Sequence, residues 1–386
     1  MRCLPGSLLL SATAISITLA NSPFSSFYHQ LLGEFKFLGH FNVHMLVNDF
    51  LMAIFFLLVG LEIKHELLYG NLSSFKKASF PIISALGGVI IPAIIFMWFN
   101  KGTQFEAGVG IPISTDIAFA VGIFMILKNK LNPSLKIFLL SLAVVDDLIS
   151  IIVIGVLYSS NINFKILYLA LFLVCILMYM NIRLKIHKIY PYLIIGLFIW
   201  GLIYLSGVHA TISGVLIAMS IPSTKLSGER ETISSKLERR LNPLCSLFIL
   251  PLFALANTAI TLNLNIDISN SYTLIKGIVA GLSIGKPLGI MTFAFIATVL
   301  GITEKPKGST WLSIFSVSIL AGIGFTMSIF VSEIAFDNNS EFVSIAKISI
   351  LLASLISIIS TYIVATLTSK NATSNKSYTF KHKKTA

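Results

Sequence analysis

The chain has 386 residues, 55% of them hydrophobic and 11% charged, with a net charge of +12 and a mean hydropathy of +0.89. A soluble globular domain averages about 25% charged residues. The composition therefore argues against an ordinary soluble protein and for a polytopic membrane protein with little soluble mass.

A helix that crosses the hydrocarbon core needs about 20 mostly apolar residues. Taken in chain order, twelve stretches qualify: 6–21, 43–62, 80–99, 105–127, 137–158, 166–181, 190–206, 208–221, 244–262, 278–300, 311–333 and 343–367. No connection is long enough for a second domain. Residues 1–368 read as one transmembrane domain, and 369–386 as a polar, basic tail expected to lack order. The first stretch could instead be a signal peptide, being apolar behind a single basic residue, but its removal would spoil the parity of spans. The eighth stretch is short. A turn at Gly207 is required all the same, because without it every later basic loop would face the other side.

The charge follows these spans. With the amino terminus inside, alternate connections place 22 of the 28 Lys and Arg residues on one side, and five (Lys36, Lys101, Lys165, Lys276, Lys347) on the other. Lys286 lies within a span. This is the positive-inside pattern, with both termini cytoplasmic. The basic excess thus belongs to topology and to contact with anionic membrane lipid, not to a nucleic-acid partner. Cys3, Cys175 and Cys245 are scattered and suggest neither a disulfide framework nor a metal site.

The informative residues are ionisable groups near the bilayer midplane. Asp116 is central in 105–127, the adjacent pair Asp146 and Asp147 in 137–158, and Lys286 in 278–300. At roughly 2.5–3.5 kcal/mol each on insertion scales, four unpaired charges would cost about 10–14 kcal/mol, comparable to a whole protein's stability. They must meet each other, water or an ion. A structural salt bridge from Lys286 would satisfy only one carboxylate. Neighbours on a helix point about 100° apart, so one aspartate can face Lys286 while the other faces an open site with Asp116.

Two spans look interrupted. "GVGIPISTDIAFA" (108–120) carries Gly108, Gly110 and Pro112 ahead of Thr115 and Asp116; "LAGIGFTMSIF" (320–330) carries Gly322 and Gly324 ahead of Thr326 and Ser328. Irregular backbone at that depth is tolerated only where it lines a cavity or is buried in protein. Each break creates a positive helix end and a negative one; Asp116 could offset the former and Lys286 the latter. A proline kink and a close-packing glycine pair are the bland alternatives. Spans 3–5 and 10–12 each hold the broken span in the middle and start from opposite sides, which points to an inverted-repeat transporter.

"FFLLVGLEIKHELL" (55–68), "IPISTDIAFA" (111–120), "LKIFLLSLAVVDDL" (135–148), "SGVHAT" (206–211), "LPLFALANT" (250–258), "IGKPLGI" (284–290) and "AGIGFTMSIF" (321–330) together resemble the NhaA family of bacterial sodium/proton antiporters. The resemblance runs from about Asn21 to the last span. It implies an all-α protein of twelve transmembrane helices, with inverted repeats and crossed, discontinuous fourth and eleventh helices. It implies a transporter rather than an enzyme, without a cofactor, in the bacterial inner membrane. The expected activity is electrogenic exchange of cytoplasmic Na⁺ or Li⁺ for external H⁺ in pH-regulated sodium homeostasis. By the same resemblance, Asp146 and Asp147 form the ion and proton site, Lys286 pairs with Asp146, and Thr115 and Asp116 lie at the crossing. Glu62, Glu66, Glu238 and His209 are implied in the pH response.

The chain departs from the family in four places. Segment 22–42 looks shorter than the family's dimer-joining β-hairpin, which leaves the geometry of a homodimer open. His65 replaces a familiar arginine, and Asn242 a familiar histidine. Glu333 is an unfamiliar carboxylate that reads as interfacial.

Other residues have blander readings. Glu62 and Glu66 share one helix face by their i,i+4 spacing, and an ordinary solvated charge cluster would explain them too. Asp49 reads as a helix cap or anchor, and a lone His209 as structural. His40 and His44 lack a third ligand for zinc.

Na⁺ is a hard cation that prefers oxygen ligands, so protons and Na⁺ would compete for the same aspartate oxygens. An intramembrane aspartyl protease would also need two aspartates, but its sequence motifs are absent. A sodium-coupled organic-solute symporter of related fold is the remaining alternative.

Overall fold

The computed structural model describes residues 4–33, 36–37, 41–128, 130–159, 162–224, 231–261, 268–336 and 339–382. Almost all of them are helical. Large apolar side chains cover the outside, with Trp98 84% and Val156 74% exposed. Thr115, Asp146, Asp147 and Lys286 are each at most 1% exposed. An apolar exterior with the ionisable groups held inside suits a protein solvated by lipid.

Among the described residues, eight helices are long and apolar enough to cross a membrane: Val43–Leu68, Ala78–Asn100, Glu106–Ile126, Ser134–Leu157, Phe164–Ile182, Ile233–Asn257, Ser271–Val299 and Ser340–Thr368. Two bent pairs raise the number to ten, Gly6–Ala20 with Ser25–Gly33 (115°) and Trp311–Ala321 with Phe325–Ala335 (44°). The other two expected spans are short helices, Ile189–Leu205 of 17 residues and Ile212–Ser220 of 9. Gly207 separates them at φ +82°, a left-handed turn that suits glycine.

Two further features lie outside the spans. Segment 22–42 contains a small antiparallel pairing, with Lys36 opposite Asn42 and Phe37 opposite Phe41. A pairing of two-residue strands is too short to show in a hydropathy pattern. The final helix extends over Ser340–His382, past the membrane-length stretch that ends at Thr368. The tail residues 383–386, and the loop positions Lys225 and Arg230, lie outside the described residues.

Helices in lipid associate through close packing rather than water exclusion. Helix Phe75–Asn100 and the helix that follows Lys286 meet at Gly87 and Gly289. A Cβ on Gly87 would lie 2.7 Å from the Phe293 Cβ, and one on Gly289 3.0 Å from the Ile91 Cβ. This contact sets the lysine-bearing helix against the protein's interior. The backbone just ahead of the lysine, Gly281–Gly285, forms a π-helical turn, in which the Lys286 N–H reaches back to the Gly281 carbonyl. Pro287 follows and has no N–H to offer the regular ladder. The same arrangement recurs at Cys245–Ile249, where Leu250 bonds Cys245 and Pro251 follows. The first helix packs into the bundle: Ser16 Oγ and Tyr28 OH both donate to the Leu255 carbonyl, at 2.8 and 2.6 Å.

Candidate functional site

The first interrupted segment is a tight 3₁₀ stretch, Glu106–Ile113, then three extended residues, then helix Ile117–Ile126. The break therefore falls at Ser114–Asp116 rather than at Gly110 and Pro112, which lie inside the 3₁₀ turns. Tertiary hydrogen bonds hold the segment in this form. Tyr158 OH accepts from the Gly110 N–H (3.0 Å) and donates to the Ala107 carbonyl (2.8 Å), and Ser328 Oγ donates to the Ile111 carbonyl (2.8 Å). The second interruption lies between helices Trp311–Ala321 and Phe325–Ala335, which are bent by 44°. Gly322 caps Trp311–Ala321 and Gly324 precedes Phe325–Ala335. Phe325 stands at φ +21°, an uncommon value for a residue with a side chain.

The two interruptions touch. The Asp116 N–H donates to the Ile323 carbonyl at 2.8 Å. The Asp116 carboxylate then serves two helix starts. It accepts from Phe119 N–H (2.9 Å) on its own side, and from Thr326 N–H (3.2 Å) and Thr326 Oγ1 (2.5 Å) on the other. A carboxylate is favoured at a helix N-terminus because free N–H groups and the helix dipole both point at it. The carbonyl ends receive donors instead: Thr115 Oγ1 lies 2.9 Å from the Ala321 carbonyl, and the Lys286 ammonium donates to the Ile113 carbonyl.

Helix Ser134–Leu157 brings the aspartate pair to this junction. Asp146 faces Lys286, with Oδ2 to Nζ 2.7 Å, and the same oxygen lies 2.5 Å from Thr115 Oγ1. Asp147, turned about 100° away, faces a cavity of about 420 Å³ that it lines together with Asp116 and Thr326. The Oδ1 atoms of both aspartates are buried and have no hydrogen-bond partner in the protein. Buried acceptors are nearly always satisfied in folded proteins, and here two carboxylate oxygens on adjacent residues lack a protein partner.

The same cavity is lined by Glu62, His65, Glu66, Glu238 and Asn242. The structure thus connects three of the four residues assigned to the pH response with Asp147. The fourth, His209, is elsewhere. Its Nε2 lies 3.1 Å from the Tyr158 carbonyl, and it does not line the cavity. Glu333 forms an ion pair with Lys347 at 2.5 Å and lies 3.8 Å from His44 Nε2; His40 lies outside the described residues. Among the described residues, no group of three or more His, Cys, Asp or Glu side chains could hold a metal ion. Sequence reasoning missed the supporting role of Tyr158 and the π turn ahead of Lys286. Pro287 was the available signal for the second. Tyr158 had none, because its partners are backbone groups 48 and 51 residues away.

Two interrupted helices meeting around buried carboxylates and a lysine, at a cavity in a helical membrane protein, define a secondary transporter. The chain belongs to the Na⁺/H⁺ antiporter 1 family, whose model matches residues 2–365. It is 43% identical over 371 residues to Na⁺/H⁺ antiporter NhaA 2 of Aliarcobacter butzleri, covering 92% of each chain. It is 46% identical over 351 residues to Na⁺/H⁺ antiporter NhaA of Cytophaga hutchinsonii, covering 91% of this chain and 89% of the other. A third relative, NhaA of Helicobacter pylori strain G27, is 40% identical over 399 residues, covering 91% and 90%.

Proposed function

We propose that the protein is an electrogenic antiporter of the bacterial inner membrane that exchanges cytoplasmic Na⁺ or Li⁺ for external H⁺. The observation that carries this reading is the pair of inequivalent aspartates. Asp147 opens onto the cavity with an unpartnered oxygen, and Asp146 is held by Lys286 and Thr115. Na⁺ favours oxygen ligands, and Asp147, Asp146, Thr115, Asp116 and Thr326 offer them within one small region. A carboxylate taken out of water competes for protons as readily as for cations. Exchange then needs one rule: the site crosses only when protonated or when holding Na⁺, because an empty doubly anionic site is too costly to move.

When Na⁺ takes Asp146, Lys286 loses its counter-ion and can release its own proton, so more than one proton moves per cation. The Asp146–Lys286 pair titrates as one coupled unit. Glu62, Glu66 and Glu238 line the entrance and tune access with pH. The fold reading that goes with this function has twelve spans, with Ile189–Leu205 and Ile212–Ser220 as the short seventh and eighth. Both termini are cytoplasmic, and the two interrupted helices cross at Asp116. Lipid surrounds the protomer, which can pair as a homodimer. A solute symporter has less support, since the relatives bear the name of Na⁺/H⁺ antiporters.

The test is Na⁺-induced dissipation of a proton gradient in vesicles, for the wild type and Asp147→Asn. Wild type is expected to respond to Na⁺ and Li⁺, and Asp147→Asn to neither. Retained exchange in the variant removes the central assignment.

A further inference from the structure

Three of the helices that line the cavity continue past it, and past it they are closed twice. Val43–Leu68 gives the cavity Val59 and Glu62, segment 245–257 gives Cys245 and Leu250, and Phe325–Ala335 gives Thr326 and Met327. About one or two turns further along each helix stand Phe56, Phe253 and Phe330. Their rings meet, with Phe330 centred 5.6 Å from Phe56 and 6.2 Å from Phe253. None is more than 2% exposed.

Another one or two turns on, the apolar layer gives way to a polar one. Asn48 and Asn257 exchange side-chain hydrogen bonds at 3.1 and 2.7 Å. Asn48 also lies 3.3 Å from the His44 ring. His44 leads to Glu333, and Glu333 to Lys347. The order is the same on all three helices: cavity, aromatic layer, polar layer.

The two layers differ in what opening would cost. Packed rings exclude a hydrated cation, as apolar constrictions do in channels. Asn257 and Lys347 are buried while the layer is closed, but once water enters, the amides and the ion pair can exchange their protein partners for water, so the net cost of parting them is modest. The end of the bundle away from the acidic entrance is therefore sealed by contacts suited to being broken and remade.

We propose that Phe56, Phe253 and Phe330, with Asn48, Asn257, His44, Glu333 and Lys347 behind them, are the outer gate through which the cation leaves and protons enter. This rests on the antiport reading above, which makes the entrance at Glu62 cytoplasmic. In the state described here the gate is shut while Asp147 faces the cavity. The alternate state parts the same three helices at the latch and the ring layer.

The test replaces Asn48 and Asn257 by cysteine in a chain whose Cys3, Cys175 and Cys245 are serine. Na⁺-driven proton movement is read in vesicles with the thiols reduced, bridged by oxidant or by mercuric ion, and reduced again. Na⁺ binding to the purified protein is read by calorimetry in the same states. Bridging is expected to abolish exchange and reduction to restore it, with Na⁺ binding retained throughout. Fully bridged protein that exchanges at the unbridged rate overturns the gate.

If the reduced protein moves no protons in response to Na⁺, the antiport reading fails instead. The gate is then read in whole cells, by labelling Met327→Cys with a membrane-impermeant maleimide. It is expected to be protected when Phe330 is present and labelled when Phe330→Ala is added. Equal labelling of the two overturns the gate.

Discussion

The four buried ionisable residues divide into two kinds by the company they keep. Asp116 is fully engaged as a cap on two helix starts, and Lys286 holds both Asp146 and the Ile113 carbonyl. Removing one member of a buried pair costs about 3–5 kcal/mol, whereas replacing both by apolar or neutral groups is often nearly neutral. Lys286→Met is therefore expected to lower thermal stability in detergent sharply, and Lys286→Met with Asp146→Asn to regain most of it. Equal melting temperatures for the single and double variants would show that the pair carries no coupling. Asp147 is the other kind, a buried carboxylate with an unpartnered oxygen. Its neutralisation by Asp147→Asn is expected to leave the melting temperature unchanged or raise it, even as exchange is lost. The identity of these residues was legible in the sequence, because a charge at the midplane of an apolar span has few reasons to exist. The inequivalence of the adjacent aspartates was legible too, from helical geometry alone. The capping of Thr326 by Asp116 was not, since it joins groups 210 residues apart.

At the scale of elements, glycine and proline pointed to two interruptions, but only the second lies at the residues that pointed to it. The second break falls at Gly322–Gly324, where close packing leaves no room for a side chain: a Cβ on Gly322 would lie 2.5 Å from the Leu282 carbonyl oxygen, and one on Gly324 2.9 Å from the Ser328 Cβ. The first falls at Ser114–Asp116, beyond Gly110 and Pro112, because Tyr158 and Ser328 hold the 3₁₀ turns together and contacts with Ile323 and Ala321 take up the next residues. Local sequence weakens a helix; tertiary partners decide where it ends. Tyr158 is the partner whose removal isolates this effect. Tyr158→Phe keeps the ring but leaves the Gly110 N–H and the Ala107 carbonyl without their shared partner. The expected cost is about 1–3 kcal/mol of stability, measured as a shift in the unfolding midpoint. Hydrogen exchange of the 106–113 amides is expected to quicken more than that of helix Ser134–Leu157. Unchanged protection across 106–113 would mean that the 3₁₀ form is held from elsewhere.

For the whole molecule, hydropathy and charge gave different amounts of information. A length threshold finds eight to ten spans, while the alternation of basic segments asks for twelve. The two missing ones are the 17- and 9-residue helices on either side of Gly207. Both fall below a length threshold, while the positive-inside alternation counts them as spans, so the two criteria differ at these helices. The same charge map sharpens the meaning of the cavity entrance. The net charge is +12, and the expected cytoplasmic side holds most of the cations, yet Glu62, Glu66 and Glu238 all line one cavity there. A cleft lined by one sign of charge with apolar walls concentrates counter-ions, so the entrance gathers cations on a face that would otherwise repel them. Neutralising all three as Glu→Gln is expected to raise the half-saturating Na⁺ concentration about tenfold at low ionic strength. Screening supplies the control, because the Debye length falls from about 30 Å at 0.01 M to about 10 Å at 0.1 M. Adding choline chloride over that range should weaken apparent Na⁺ affinity in the wild type and leave the triple variant nearly flat. Parallel salt curves would assign the three carboxylates to local contacts rather than to the field of the cavity.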